Sequence, residues 1–148
     1  MEDNDSKTRK DEGKESRAAT PPKTGEHILI LDDDNLLVQL GQALLEKLGY
    51  RVTGCTNCRE ALETVRQDPK KFDLVITDYS MPKMNGLELA RELTRLYPDL
   101  PIILYSAFSN VVSPEQAKAL GIKDYLLKPV RVEEMHQAIR RVLDPKIL

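Results

Sequence analysis

Three consecutive aspartates, Asp32-Asp33-Asp34, stand directly after the apolar run His27-Ile28-Leu29-Ile30-Leu31, and a fourth, Asp78, follows Asp73-Leu74-Val75-Ile76-Thr77. Ser106 follows the run from Pro101 to Tyr105, and Lys128 follows a short run from Asp124 to Leu127. Carboxylates gathered at one place repel, and each raises the pKa of the others. A hard divalent cation relieves that repulsion, and Mg²⁺ takes a few carboxylates together with waters and phosphate oxygens. A lysine ammonium adds a fixed positive charge, and a serine hydroxyl donates to a phosphoryl oxygen. An oxygen nucleophile, a metal, and cationic and hydroxyl stabilisers are what phosphoryl transfer requires. Taken singly the residues have ordinary readings: Asp34 as a helix cap, Ser106 as a turn residue, Lys128-Pro129 as a loop. Their coincidence after four separate runs favours the chemistry.

Cys55 and Cys58 form a C-x-x-C, the spacing of a redox dithiol or of half a zinc site. Zinc needs further ligands, and the two histidines, His27 and His136, are isolated in sequence. Nothing else suggests a redox fold, so the pair is read as two incidental thiols near a strand–helix junction.

The elements that must position these residues follow from periodicity. The runs at 27–31, 73–77 and 101–105 have the continuous apolar character of strands buried on both faces, with weaker strands at Tyr50–Gly54 and Asp124–Leu127. Between them lie helical patterns. Leu37, Leu40, Leu44 and Leu48 recur at spacings of three and four and end at Gly49, which predicts an amphipathic helix with those leucines inward. Asn57 and Glu60 predict a capping box before a helix whose inner face is Ala61, Leu62 and Val65. Leu89, Leu93 and Leu96 mark a third helix closed by Pro98, and Ser113-Pro114-Glu115 opens a fourth that ends at Gly121. Val132, Met135, Ile139 and Val142 mark the last. Five strand–helix pairs in alternation imply an α/β domain with a doubly wound parallel sheet. In such a sheet the residues after each strand gather at the carboxyl edge, where sites form.

The chain has 148 residues, 41% hydrophobic and 31% charged, and a net charge of −2, which suits one globular domain with no overall bias toward nucleic acid. Residues 1–25 carry mixed charge, Pro21-Pro22 and almost nothing apolar, so they are expected to be a disordered tail or linker; 26–144 form the domain and 145–148 a C-terminal tail. No apolar run reaches the about 18 residues that cross a bilayer, and Met1-Glu2-Asp3-Asn4-Asp5 lacks the start of a secretory signal. The expected location is cytoplasmic, with no membrane segment and no direct nucleic-acid contact.

The runs Ile28 to Asp34, Asp78-Tyr79-Ser80-Met81-Pro82-Lys83-Met84-Asn85-Gly86 and Leu126-Leu127-Lys128-Pro129-Val130 resemble receiver domains of two-component response regulators, and the likeness extends over residues 26–144. The resemblance implies a flavodoxin-like (βα)5 fold with strand order 2-1-3-4-5. It implies Asp78 as phospho-acceptor, and a Mg²⁺ site made by Asp32, Asp33, Asp78 and the backbone carbonyl of Ser80. Asp33 would bind the metal directly and Asp32 largely through water; the sixteen-residue step from Asp33 to Gly49 matches the family's spacing for this pair. Ser106 and Lys128 would stabilise the phosphoryl group, with Ser106 at the switch position and Tyr125 as the aromatic switch residue. Ser80 and Phe108 occupy positions at which the family tunes hydrolysis, and Phe108 is expected to hinder the attacking water. The implied partners are a sensor histidine kinase or histidine phosphotransfer protein, and a downstream protein partner. Gly25-Glu26-His27-Ile28-Leu29, Ala117-Lys118-Ala119-Leu120-Gly121 and the segment Ala138 to Asp144 further resemble receivers at the C-terminus of hybrid histidine kinases.

The expected role is a signalling switch and not an enzyme. A phosphatase of the haloacid dehalogenase type is the rival, since Asp32-Asp33-Asp34 satisfies its Asp-x-Asp pattern. It lacks an acidic pair placed as that family needs, having only Glu133-Glu134 within the last helix, and it leaves Asp78 unexplained. A pseudo-receiver without phosphorylation is disfavoured by the intact Asp32, Asp33, Asp78, Ser106 and Lys128.

Overall fold

The computed structural model describes residues 25–108 and 111–144. The tails expected at 1–25 and 145–148 thus lie, Gly25 apart, outside the described residues. The elements run β1 (His27–Leu31), α1 (Asn35–Lys47), β2 (Arg51–Cys55), α2 (Cys58–Gln67), a short 3-10 turn (Pro69–Lys71), β3 (Leu74–Asp78), α3 (Gly86–Leu96), β4 (Ile102–Ser106), α4 (Pro114–Ala119), β5 (Ile122–Leu127) and α5 (Val132–Leu143). All strand pairs are parallel, in the order β2-β1-β3-β4-β5, which is the flavodoxin-like (βα)5 arrangement.

The sheet is covered on both faces, which is why its central strands β1, β3 and β4 are buried at every position and mostly apolar. Leu29, Leu31, Val75 and Leu104 face one way, against Ala61 and Val65 of α2 and Leu89 and Leu93 of α3. Ile28, Ile30, Leu74, Ile76 and Ile103 face the other, against Val38 and Leu45 of α1 and Ala138 and Ile139 of α5. Among the described residues no helix is long and apolar enough to cross a membrane.

Several expected boundaries move. β2, β3 and β4 each begin and end one residue later than the apolar runs suggest, because pairing and not hydropathy sets the ends. Asp78 pairs with Tyr105 across β3 and β4, and Ser106 with Leu127 across β4 and β5, so both are the last residues of their strands. β5 starts two residues earlier, where Ile122 pairs with Ile102.

The inner face expected for α1 is corrected. Leu37, Leu40, Leu44 and Leu48 are all exposed, together with Leu36, and the buried side chains are Val38 and Leu45. Gly41 explains the rotation: a Cβ there would lie 2.8 Å from Ile30 Cδ1, so the helix approaches the sheet along its glycine and the leucines fall to the side. Leu37, Leu40 and Leu44 line a groove of about 580 Å³ whose other wall includes Val130, Val132 and Met135, and which reaches Asp32 and Lys128. Leu96 of α3 is likewise exposed, while Leu89 and Leu93 are fully buried. The box before α2 is half made: Asn57 accepts from the Glu60 amide at 2.8 Å, but the Glu60 carboxylate accepts from Thr56 and not from Asn57. The caps at Asn85 and Ser113 are complete boxes, with Pro114 at the start of α4.

Candidate functional site

Parallel strands place their carboxyl ends together, and the expected residues meet there. Asp78 ends β3 and is 3% exposed; Asp32 follows β1 and is 1% exposed; Asp33 lies on the solvent side. One carboxylate oxygen of each lies within 4.8 Å of those of the other two. Asp34 stands apart as the cap of α1, accepting from the Leu36 amide at 3.0 Å. Lys128, beyond the end of β5, places Nζ 3.2 Å from Asp78 Oδ1 and 3.4 Å from Asp32 Oδ2. The Asp34 amide donates to Asp32 Oδ1 at 2.9 Å, and the Ser80 amide to Asp78 Oδ1 at 3.4 Å.

Burial raises the pKa of Asp78, the nearby Asp32 raises it further, and Lys128 opposes both. One ammonium against three carboxylates leaves net negative charge on a partly dry edge. An all-oxygen donor set of that charge, with Asp33 open to water, fits a hard divalent cation such as Mg²⁺.

The hydroxyl-bearing residues face the same edge from β4 and β5. Ser106 Oγ accepts from the Phe108 amide at 2.9 Å. The Tyr125 hydroxyl donates to the Phe108 carbonyl, so Tyr125 and Ser106 hold the backbone of Phe108 from its two sides. The Phe108 side chain is itself 59% exposed. The start of α3 is drawn against the acceptor strand: the Gly86 amide donates to the Tyr79 carbonyl at 2.8 Å, and a Cβ at Gly86 would meet the Asp78 carbonyl at 2.4 Å.

The two thiols are buried, and burial pushes each up to about 11, which leaves them protonated and poorly nucleophilic. Cys58 Sγ donates to the Met84 carbonyl at 3.2 Å, steadying the loop after Asp78. His27 and His136 are far apart in role as well as sequence: His27 Nε2 bonds Thr53 and His136 Nδ1 bonds the Tyr50 hydroxyl. One residue at the site had no signal in the sequence beyond its polarity. Tyr105, inside β4, sends its hydroxyl to Asp32 Oδ2 at 2.9 Å.

Comparison with known proteins agrees with this geometry. The family model described as the response regulator receiver domain matches residues 28–140. The two-component response regulator ARR10 of Arabidopsis thaliana is 41% identical over 119 residues, which cover 80% of this chain and 21% of that protein. The transcriptional regulatory protein ZraR of Klebsiella oxytoca is 37% identical over 116 residues, covering 78% of this chain and 26% of that protein. The chain therefore spans about a fifth to a quarter of the length of these relatives. Among solved structures, a receiver domain protein from Clostridium thermocellum superposes with a TM-score of 0.75 at 28% identity, covering 80% of this chain and 94% of that one. The response regulator TrrA of Thermotoga maritima, solved in complex with Mg²⁺ and BeF, superposes with a TM-score of 0.72 at 30% identity, covering 80% and 99%.

Proposed function

The chain belongs to the response regulator receiver domain family, and from that premise we propose that Asp78 accepts a phosphoryl group from a phosphohistidine of a sensor kinase or phosphotransfer protein. The observation that carries the proposal is the convergence of Asp32, Asp33 and Lys128 on a buried Asp78. An Asp78 carboxylate oxygen forms the new O–P bond as the P–N bond breaks, and the nitrogen's electron pair returns to the imidazole. Lys128 lies within reach of the acceptor oxygen and of charge that develops on the transferring group. Asp32, Asp33, Asp78 and the Ser80 carbonyl are the groups that would hold Mg²⁺, which when bound neutralises phosphoryl oxygens.

Ser106 is the hydroxyl that turns to the new charge. Its present partner is the Phe108 amide, and the Phe108 carbonyl is in turn the partner of Tyr125. A shift of Ser106 therefore reaches Tyr125 through one residue, which supports a two-state change across α4, β5 and α5. The role proposed is a switch that a downstream protein reads, not turnover of a substrate. It is placed in the cytoplasm, where the ATP that feeds histidine kinases is found.

The test is a small phosphodonor with Mg²⁺, followed by intact mass on wild type and Asp78→Asn. Wild type should gain one phosphoryl group and Asp78→Asn none. A gain that persists in Asp78→Asn would overturn the assignment, and steady turnover of a phosphomonoester would favour the phosphatase instead.

A further inference from the structure

Tyr105 is 6% exposed and its side chain lies on the sheet face shared with α1 and α5. Its hydroxyl stands 2.9 Å from Asp32 Oδ2 and 3.1 Å from the Leu31 carbonyl. A phenol has one proton to donate, and an ionised carboxylate is the stronger acceptor, so the bond to Asp32 takes it. Burial, and then Asp32 itself, push the Tyr105 phenol up, which keeps it a neutral donor. The three positions before it on β4 are buried and apolar, Ile102, Ile103 and Leu104. The hydroxyl is the part that packing leaves unexplained.

The reach of that hydroxyl has consequences for the site. β3 lies between β4 and β1, and the β3 residue paired with Tyr105 is Asp78. Tyr105 thus spans the end of the acceptor strand and ties the Asp32 carboxylate to the strand that carries Ser106. Asp32 Oδ1 is occupied by the Asp34 amide, and Oδ2 is shared between Tyr105 and Lys128. Lys128 also sits 5.0 Å above the Tyr105 ring, so the same residue braces both the carboxylate and the ammonium. Without the hydroxyl, Asp32 Oδ2 would draw on Lys128 alone among these donors, and that ammonium is the one Asp78 uses.

We propose that Tyr105 is a positioning residue of this site: its hydroxyl fixes the Asp32 carboxylate for divalent-cation binding and leaves Lys128 to Asp78. The inference rests on the reading of the edge as a cation-assisted phosphoryl acceptor. Mn²⁺ is the probe, titrated into the unphosphorylated full chain with free ion read by electron paramagnetic resonance. Tyr105→Phe should bind Mn²⁺ about tenfold more weakly than wild type, the scale of losing an orienting partner behind a metal ligand. Tyr105→Leu, a second way to remove the hydroxyl, should do the same; thermal unfolding without metal identifies which variant is folded and read. In an Asp32→Asn background the same substitution should add little, because its effect passes through that carboxylate. Mn²⁺ affinity equal to wild type in either folded variant overturns the inference and leaves the acceptor reading standing. A loss that persists undiminished in the Asp32→Asn background also overturns it. A wild-type chain that binds no Mn²⁺ would instead overturn the reading of the site, and this inference with it.

Discussion

Asp78 is a carboxylate held where its charge is poorly solvated, with a second carboxylate beside it and one ammonium against both. Such a group gains from anything that spreads its charge, whether a cation or a covalent bond to phosphorus. The lifetime of the proposed phosphoryl group belongs to the same scale. Phe108 follows Ser106 by two positions, its backbone is pinned by Ser106 and Tyr125, and its ring is left largely exposed. Hydrolysis needs a water directed at the phosphoryl group, and we propose that the Phe108 ring hinders its approach. Phe108→Asn or Phe108→Glu should therefore shorten the phosphorylated lifetime several-fold, measured as loss of the added mass after the donor is removed. Equal or slower loss would count against a hindering role. The acidic residues, Ser106 and Lys128 were legible in the sequence because each closes an apolar run. Tyr105 was not, because a tyrosine inside a strand reads as core and its hydroxyl's partner lies 73 residues away in the chain.

At the scale of elements, β1, β3 and β4 were legible for the reason that both faces of the sheet are covered, so their hydropathy needs no period to be seen. The orientation of α1 was not legible from leucine spacing. Its sequence offers Leu37, Leu40, Leu44 and Leu48 as one stripe, yet the helix turns Gly41 to Ile30 and buries Val38 and Leu45. Close approach of backbone to sheet outweighs leucine count when a residue without a Cβ lies on the contact line. The distinction is measurable. Leu45→Ala removes a fully buried side chain and should cost about 2–5 kcal/mol in denaturant unfolding. Leu40→Gln, at a residue 55% exposed, should change stability by no more than about 0.5 kcal/mol. Equal losses at the two positions would restore the stripe reading. The ends of β2 to β5 shifted for a different reason: ladder pairing with a neighbouring strand is set by partners that hydropathy along one segment does not reveal.

For the molecule as a whole, the edge away from Asp78 is closed by an ion pair. Arg140 of α5, 4% exposed, donates from Nη2 to both oxygens of the Glu26 carboxylate, just ahead of β1, at 2.9 and 2.8 Å, and its guanidinium lies 5.7 Å from the Tyr50 ring. Breaking a buried pair by removing one partner leaves the other charge stranded, at a cost of about 3–5 kcal/mol. Arg140→Ala should lose stability on that scale while the folded fraction still gains one phosphoryl group at Asp78, since Glu26 and Asp32 lie at opposite ends of β1. Labelling that falls further than the folded fraction would show that the edges communicate.

The Glu26–Arg140 bond joins the first described strand's approach to the last helix's end. Both ends of the described unit, at Glu26 and Asp144, therefore lie at the edge of the sheet opposite Asp32 and Asp78. A unit with that geometry is portable: it can be spliced into a longer polypeptide through either end, or have its ends joined and be opened elsewhere, without a new neighbour crossing the reactive edge.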